Sequence, residues 1–154
     1  MKKVVIMRGI PGAGKGHYVE SIVEESTYPG QEFQVTVVSA DHYFERDGRY
    51  DFDPRKLPEA HSSCMTAFLQ ALQEEHEMVI VDNTNIHHWE FEAYVKAARL
   101  AEYDVEVVEV MPETLRDLKK VIGRNSHGVP AEYVARMAVE FEPYRGARRI
   151  LPGF

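Results

Sequence analysis

A glycine-rich run, Gly9-Ile10-Pro11-Gly12-Ala13-Gly14-Lys15, constrains this chain more than any other feature. It stands between Lys3–Arg8 (KVVIMR), a β-branched run that predicts a buried strand, and a stretch in which Tyr18, Val19, Ile22 and Val23 share one helical face. The spacing G-x-x-x-x-G-K in a strand–loop–helix setting is that of a phosphate-binding loop. Glycines let successive N–H groups point inward as a nest for phosphate oxygens. The following helix adds the positive end of its dipole, and Lys15 adds a full charge. Gly9, Pro11, Gly12, Ala13, Gly14, Lys15, Gly16 and His17 are therefore the expected nucleotide-binding residues. One position departs from the pattern. A Ser or Thr whose hydroxyl reaches Mg²⁺ usually follows the lysine, but here Gly16 and then His17 follow. A Gly cannot ligate metal, so either water replaces the hydroxyl or only binding remains.

The rest of the chain alternates between strand and helix periods. Gln34–Ser39, Met78–Val81 and Val105–Val110 read as further strands. Pro58 to about Glu75, Trp89–Glu102, Glu113–Arg124 and Ala131–Phe141 read as helices. Such alternation predicts an α/β fold, a parallel sheet of four to five strands covered on both faces. The pattern VEVVEV over Val105–Val110 suggests one exposed face, as at a sheet edge. Asp41 to Pro58 fits neither period; its aromatics, charges and Asp47-Gly48 turn signal mark a functional loop or a surface insertion.

Ligands in such sheets bind beyond the carboxyl ends of the strands, so residues that follow strands should converge there. Asp41, after the second strand, is placed to take a proton from an attacking hydroxyl, or to cap a turn. Asp82, ending the apolar run Val79-Ile80-Val81, is the expected Mg²⁺ carboxylate, held through water. Asn83, Thr84 and Asn85 stand at the same mouth as substrate-orienting groups, or as caps for the next helix. Arg124 and Arg136 flank Asn125-Ser126-His127-Gly128-Val129-Pro130 on a helix–loop–helix hairpin, the expected lid over about 124–136, or are surface charges. His87 and His88 are adjacent, not at metal spacing, so no zinc site is read.

Charge and composition narrow the class. Through Leu115 there are 10 basic and 21 acidic residues; from Arg116 onward there are 8 and 4. An acidic body with a basic last quarter is a poor general nucleic-acid binder, but suits a protein that gathers phosphates at one rim. The alternative for Arg145, Arg148 and Arg149 is a solvated tail. The 154 residues suit one domain spanning 1–154. One cysteine, Cys64, allows no internal disulfide. No apolar run approaches the roughly 20 residues of a membrane span. The first apolar stretch, Val4 to Met7, is too short for a signal peptide, so the cytoplasm is the expected location.

Taken together, the glycine loop, the Ser39-Ala40-Asp41 segment, Asp82-Asn83-Thr84-Asn85 and the RNSHGVP lid resemble the polynucleotide kinase family, over Lys3 to about Tyr144. The resemblance implies a P-loop NTPase of three-layer α/β/α architecture with a helical lid. It implies transfer of the γ-phosphate of ATP, with Mg²⁺, to a 5′-hydroxyl of DNA or RNA. Lys15 would hold phosphate, Asp41 would be the base, and Arg124 and Arg136 the lid arginines. Three departures bear on the acceptor. Asn83 stands where the bacteriophage member of that family has a carboxylate, Phe44 where it has an arginine that contacts substrate phosphate, and no clear arginine matches near His127-Gly128. A nucleotide or other small-molecule acceptor is the alternative, as is a nucleotide-binding module without transfer. With the chain ending at Phe154, no phosphatase domain is expected.

Overall fold

The computed structural model describes residues 2–27, 29–30, 33–125 and 128–153. Among them, five strands form one sheet in the order β2-β5-β1-β6-β7, with every neighbouring pair parallel. These are β1 (Lys3–Arg8), β2 (Val35–Val38), β5 (Met78–Asp82), β6 (Asp104–Val110) and β7 (Arg148–Ile150). The helices are α1 (Lys15–Ser26), α2 (Leu57–Gln73), α3 (His88–Leu100), α4 (Leu115–Gly123) and α5 (Ala131–Glu140). Between β2 and α2 lie a 3₁₀ turn at Ala40–Phe44 and a small antiparallel hairpin, β3 (Glu45–Arg46) and β4 (Arg49–Tyr50).

Alternation along β1 assigns the two faces of the sheet. Val4 and Ile6 join Val79, Val81 and Val107 with Phe68 of α2 and Phe91, Tyr94 and Val95 of α3. Val5 and Met7 join Ile80 and Val108 with Val19 of α1, Val121 of α4 and Val134 of α5. The architecture is therefore three layers, α/β/α. Truncating a fully buried aromatic of the α2–α3 layer, Phe68 or Phe91, should cost about 3–5 kcal/mol. No helix of the described residues is long and apolar enough to cross a membrane.

One expectation is corrected. β6 is not an edge: β7 pairs with it through Val108↔Arg148 and Val110↔Ile150. A strand spelled Arg-Arg-Ile carries almost no apolar signal, and so resembles a tail. The glutamates of β6 also mislead, because each is neutralised in place. Glu106 pairs with Lys3 at 2.6 Å, and Glu109, only 1% exposed, pairs with the equally buried Arg8. Arg8 also donates to the carbonyls of Asn85 (2.7 Å) and Ile86 (2.9 Å), and lies between the Phe91 and Phe141 rings at 4.4 Å from each. Glu109 accepts from the Tyr144 N–H (2.9 Å) and faces Arg149 at 3.5 Å. Arg149 is thus tied to the sheet rather than a tail residue.

Candidate active site

β1 runs into the glycine loop beside the point where the strand order reverses, since the chain reaches β2 and β5 on one side of β1 and β6 and β7 on the other. Gly9 has φ 153°, and a Cβ there would lie 2.2 Å from the Val110 carbonyl oxygen. Gly12 has φ 84°, and its Cβ would lie 2.7 Å from the Val121 carbonyl oxygen. No other residue fits either place. The Gly9 N–H donates to the Thr84 carbonyl (2.9 Å), which ties the loop to the segment after β5. Gly14, left-handed at φ 108°, is the N-cap of α1, and no side chain caps that helix. Its first turn holds no acidic residue, so the orphan N–H groups face the loop with positive potential.

Lys15 opens α1 half-buried. Its ammonium donates to the Gly9 carbonyl (2.7 Å) and the Ile10 carbonyl (3.3 Å). Burial pulls its pKa below the usual lysine value, and the negative fields of Asp82 and then Asp41 oppose that pull. The ends of β1, β2 and β5 are drawn together by the Gly9–Thr84 hydrogen bond and by one from the Ala40 N–H to Asn83 Oδ1, and Asp82 and Asp41 both act on Lys15 there.

Asp41 sits in the first turn of the 3₁₀ segment Ala40–Phe44. Ser39 caps that turn by accepting the Asp41 N–H (3.2 Å), so the cap is the neighbour and the Asp41 carboxylate stays at the exposed mouth. The Asn83 carboxamide accepts the Ala40 N–H (2.9 Å) and donates towards Cys64 Sγ (3.6 Å). Asn83 thus holds the turn that carries Asp41. Asn85 is corrected: it is 2% exposed, adopts φ 47°, and donates its amide to the Met7 carbonyl (2.9 Å), away from the mouth. Asn tolerates the left-handed region, which lets the chain turn there without a glycine. Thr84 contributes the carbonyl that receives Gly9.

Asp82 ends β5 half-buried, opposite Met7 in the sheet register. One carboxylate, water and substrate phosphates make an ordinary Mg²⁺ donor set. Among the described residues no three His, Cys, Asp or Glu side chains gather to hold a metal by themselves. The donors present therefore fit a magnesium that arrives with a nucleotide. A Cβ on Gly16 would meet nothing within 4 Å, so the missing hydroxyl reflects residue choice and not a lack of room. His17 is exposed on the next position of α1.

The two arginines part company. Arg124 caps α4 and reaches the glycine loop, donating to the carbonyls of Gly12 (2.7 Å), Ala13 (3.1 Å) and Gly153. It grips the loop by its backbone. Arg136 is exposed on α5 with its guanidinium 5.9 Å from the Tyr133 ring, and makes no hydrogen bond or ion pair among the described residues. The structure brings Arg124 to the site and leaves Arg136 out on its helix. Ser126 and His127 lie outside the described residues.

Two participants have no motif in the sequence. The Tyr50 hydroxyl, from β4, donates to Asp41 Oδ1 (3.0 Å). Burial first, then Asp41, pushes the Tyr50 pKa up to about 12, so it remains a donor at neutral pH. The density of aromatics in the Asp41–Pro58 stretch was the available signal. The Arg8–Glu109 pair sits directly beneath the loop; an ionisable residue closing an apolar strand was its only hint.

This arrangement of loop, crevice and sheet order is that of the P-loop kinase-like fold, a nucleotide-binding architecture. The chain belongs to the AAA_33 family, described as an AAA domain, whose model matches residues 4–144. Human NEDD4-binding protein 2 is 31% identical over 143 residues, which are 92% of this chain and only 8% of that relative's length. Among solved structures, the APS kinase CysC of Mycobacterium tuberculosis superposes with TM-score 0.56 at 14% identity, covering 98% of this chain and 86% of that one. A chain of the Pnkp1/Rnl/Hen1 RNA repair complex superposes with TM-score 0.63 at 14% identity, covering 96% of this chain and 49% of that one. At such identities these likenesses establish the fold alone.

Proposed function

We propose that residues 1–154 act as one ATP-dependent phosphotransferase domain, with about 124–136 as its lid and the 5′-hydroxyl end of a nucleic acid as acceptor. The observation that carries this reading is the glycine loop before the uncapped α1, tied by hydrogen bonds to the end of β5 that bears Asp82, which in turn holds the turn that bears the exposed Asp41. The uncapped start of α1 and the loop N–H groups hold the ATP phosphates, and Lys15 exchanges its two carbonyl partners for phosphate oxygens. Asp41 takes the proton of the acceptor hydroxyl. That oxygen bonds to the γ-phosphorus as the bond from phosphorus to the β,γ-bridging oxygen breaks, and ADP leaves. Asp82 holds Mg²⁺, which when bound neutralises charge on the phosphates. Arg124 keeps the loop in shape, and Arg136 reaches the transferred group only when the α4–α5 hairpin closes.

The RNA repair neighbour supports a nucleic-acid acceptor, and the APS kinase neighbour together with the acidic body favours a small-molecule one. Incubation with labelled ATP and Mg²⁺ over 5′-hydroxyl oligonucleotides, nucleosides and nucleotides separates them. Label on oligonucleotides is the expected result. Label on small acceptors only would move the acceptor to that class, and no label at all would leave a binding module without transfer.

A further inference from the structure

The segment between β2 and α2 is not a loose insertion. Asp47 (φ 51°) and Gly48 (φ 76°) make a two-residue turn with two left-handed residues, the geometry that suits a twisted hairpin. The hairpin is seated by the buried Phe44, whose ring packs edge-on against Tyr50 (6.2 Å) and Phe52 (5.1 Å), and by the Asp51 N–H donating to the Phe44 carbonyl (2.8 Å). Tyr50 and Phe52 are two residues apart and share a face; their rings lie 10° from parallel, 6.3 Å apart. Both remain about half exposed, at 48% and 49%. This aromatic shelf begins at Asp41 itself, through the Tyr50 hydroxyl.

At the tip, Arg46 stands directly opposite Arg49 in the strand register. Like charges so placed repel, and neither arginine has an ion pair among the described residues. Both line an open depression of about 650 Å³ with Tyr50, Asp47 and Asp51. Two cations that face each other beside two carboxylates suit one anionic group, not a long polyanion.

We infer that this hairpin is an acceptor platform that reads the terminal nucleotide of a single strand, stacking its base on Tyr50 and Phe52 and placing its next phosphate between Arg46 and Arg49. It rests on the kinase reading above for the position of the 5′-hydroxyl at Asp41. Stacking accounts for the exposed rings, because every base presents an aromatic face. The phosphate accounts for the opposed arginines.

The test is binding of a fluorescent single-stranded 5′-hydroxyl oligonucleotide, measured by anisotropy without ATP, alongside phosphate transfer. Phe52→Leu keeps an apolar contact with Phe44 but removes the stacking face. It should weaken oligonucleotide binding about tenfold or more, Phe52→Trp should restore it, and the KM for ATP should stay unchanged. An oligonucleotide lacking its 5′-terminal base should bind wild type as weakly as the normal strand binds Phe52→Leu. The double variant R46A/R49A should reduce the slope of log affinity against log salt by about 0.7, the contribution of one phosphate on a single strand. Oligonucleotide binding without transfer would support the platform while the kinase reading fails. Transfer to oligonucleotides with Phe52→Leu as good as wild type would overturn the platform while the kinase reading stands. Absence of binding to the wild-type chain would also overturn the platform.

Discussion

The two sides of the crevice are built by opposite means. On the donor side the working groups are backbone N–H groups, held because Gly9 and Gly12 pack against the carbonyls of Val110 and Val121, and because Arg124 grips Gly12 and Ala13. On the side proposed for the acceptor the exposed groups are side chains, Asp41, Tyr50 and Phe52, carried by a short turn and a small hairpin. A backbone cradle fixes residue types, since only glycine fits. A side-chain shelf leaves them open. On the proposed reading, the backbone cradle sets the donor chemistry and the hairpin's side chains set the choice of acceptor.

The largest effect should come from removing the donor side's one full charge. Lys15→Met should abolish transfer and weaken nucleotide binding by at least about tenfold, as expected for a lost charged hydrogen bond of ~1.5–3 kcal/mol. Its stability should move the other way. Folding lowers the Lys15 pKa, so the folded state disfavours the charged form, and this variant should melt no lower than wild type. Titration calorimetry and a melting curve check both halves.

Next in size is the support beneath the loop. Glu109→Gln leaves Arg8 buried without its countercharge, and should cost about 3–5 kcal/mol in denaturant unfolding. The double variant R8M/E109L should recover most of that loss. A large loss in the double variant would mean that the pair sets the loop's shape as well as the core's charge balance.

How much of this was open to reading from the chain follows the same division. The loop was legible because Gly9, Gly12, Gly14 and Lys15 are the few residues that permit its shape. Asp41 and Asp82 were legible because apolar runs end at them. β7 was not, since Arg148-Arg149-Ile150 takes its place through ion pairs with Glu109 and Glu113 and through backbone pairing, which leave no hydrophobic pattern. Asn85 misled because polar residues after a strand resemble site residues, whereas this one satisfies the backbone of β1. Tyr50 was hidden by distance, as a hairpin had to fold before its hydroxyl could reach Asp41.

Smaller effects sharpen the comparison. Gly16→Ser adds a hydroxyl where nothing lies within 4 Å, so the fold should accept it. If water already completes the magnesium shell, Mg²⁺-ATP affinity should change by less than tenfold, about 1.4 kcal/mol. The smallest effect belongs to neither side. Glu142, after α5, accepts the His88 N–H (2.9 Å) and meets His87 Nδ1 (3.3 Å), and these contacts hold its carboxyl below the usual glutamate range. A carboxylate depressed in this way stabilises the fold above its unfolded pKa, and loses that contribution as pH falls through the folded value. Glu142→Gln should therefore lower the melting temperature near neutral pH, and the difference should close as the pH falls through the folded carboxyl's range.

Donor and acceptor sides meet at Asp41, and one substitution there tests the account most directly. Asp41→Asn keeps the shape of the side chain and its hydrogen bond from Tyr50, but cannot take a proton. Turnover with a 5′-hydroxyl oligonucleotide should fall by about 10²–10⁴-fold, the usual contribution of a general base, while ATP affinity changes by less than about tenfold. Wild-type turnover in that variant would contradict the account.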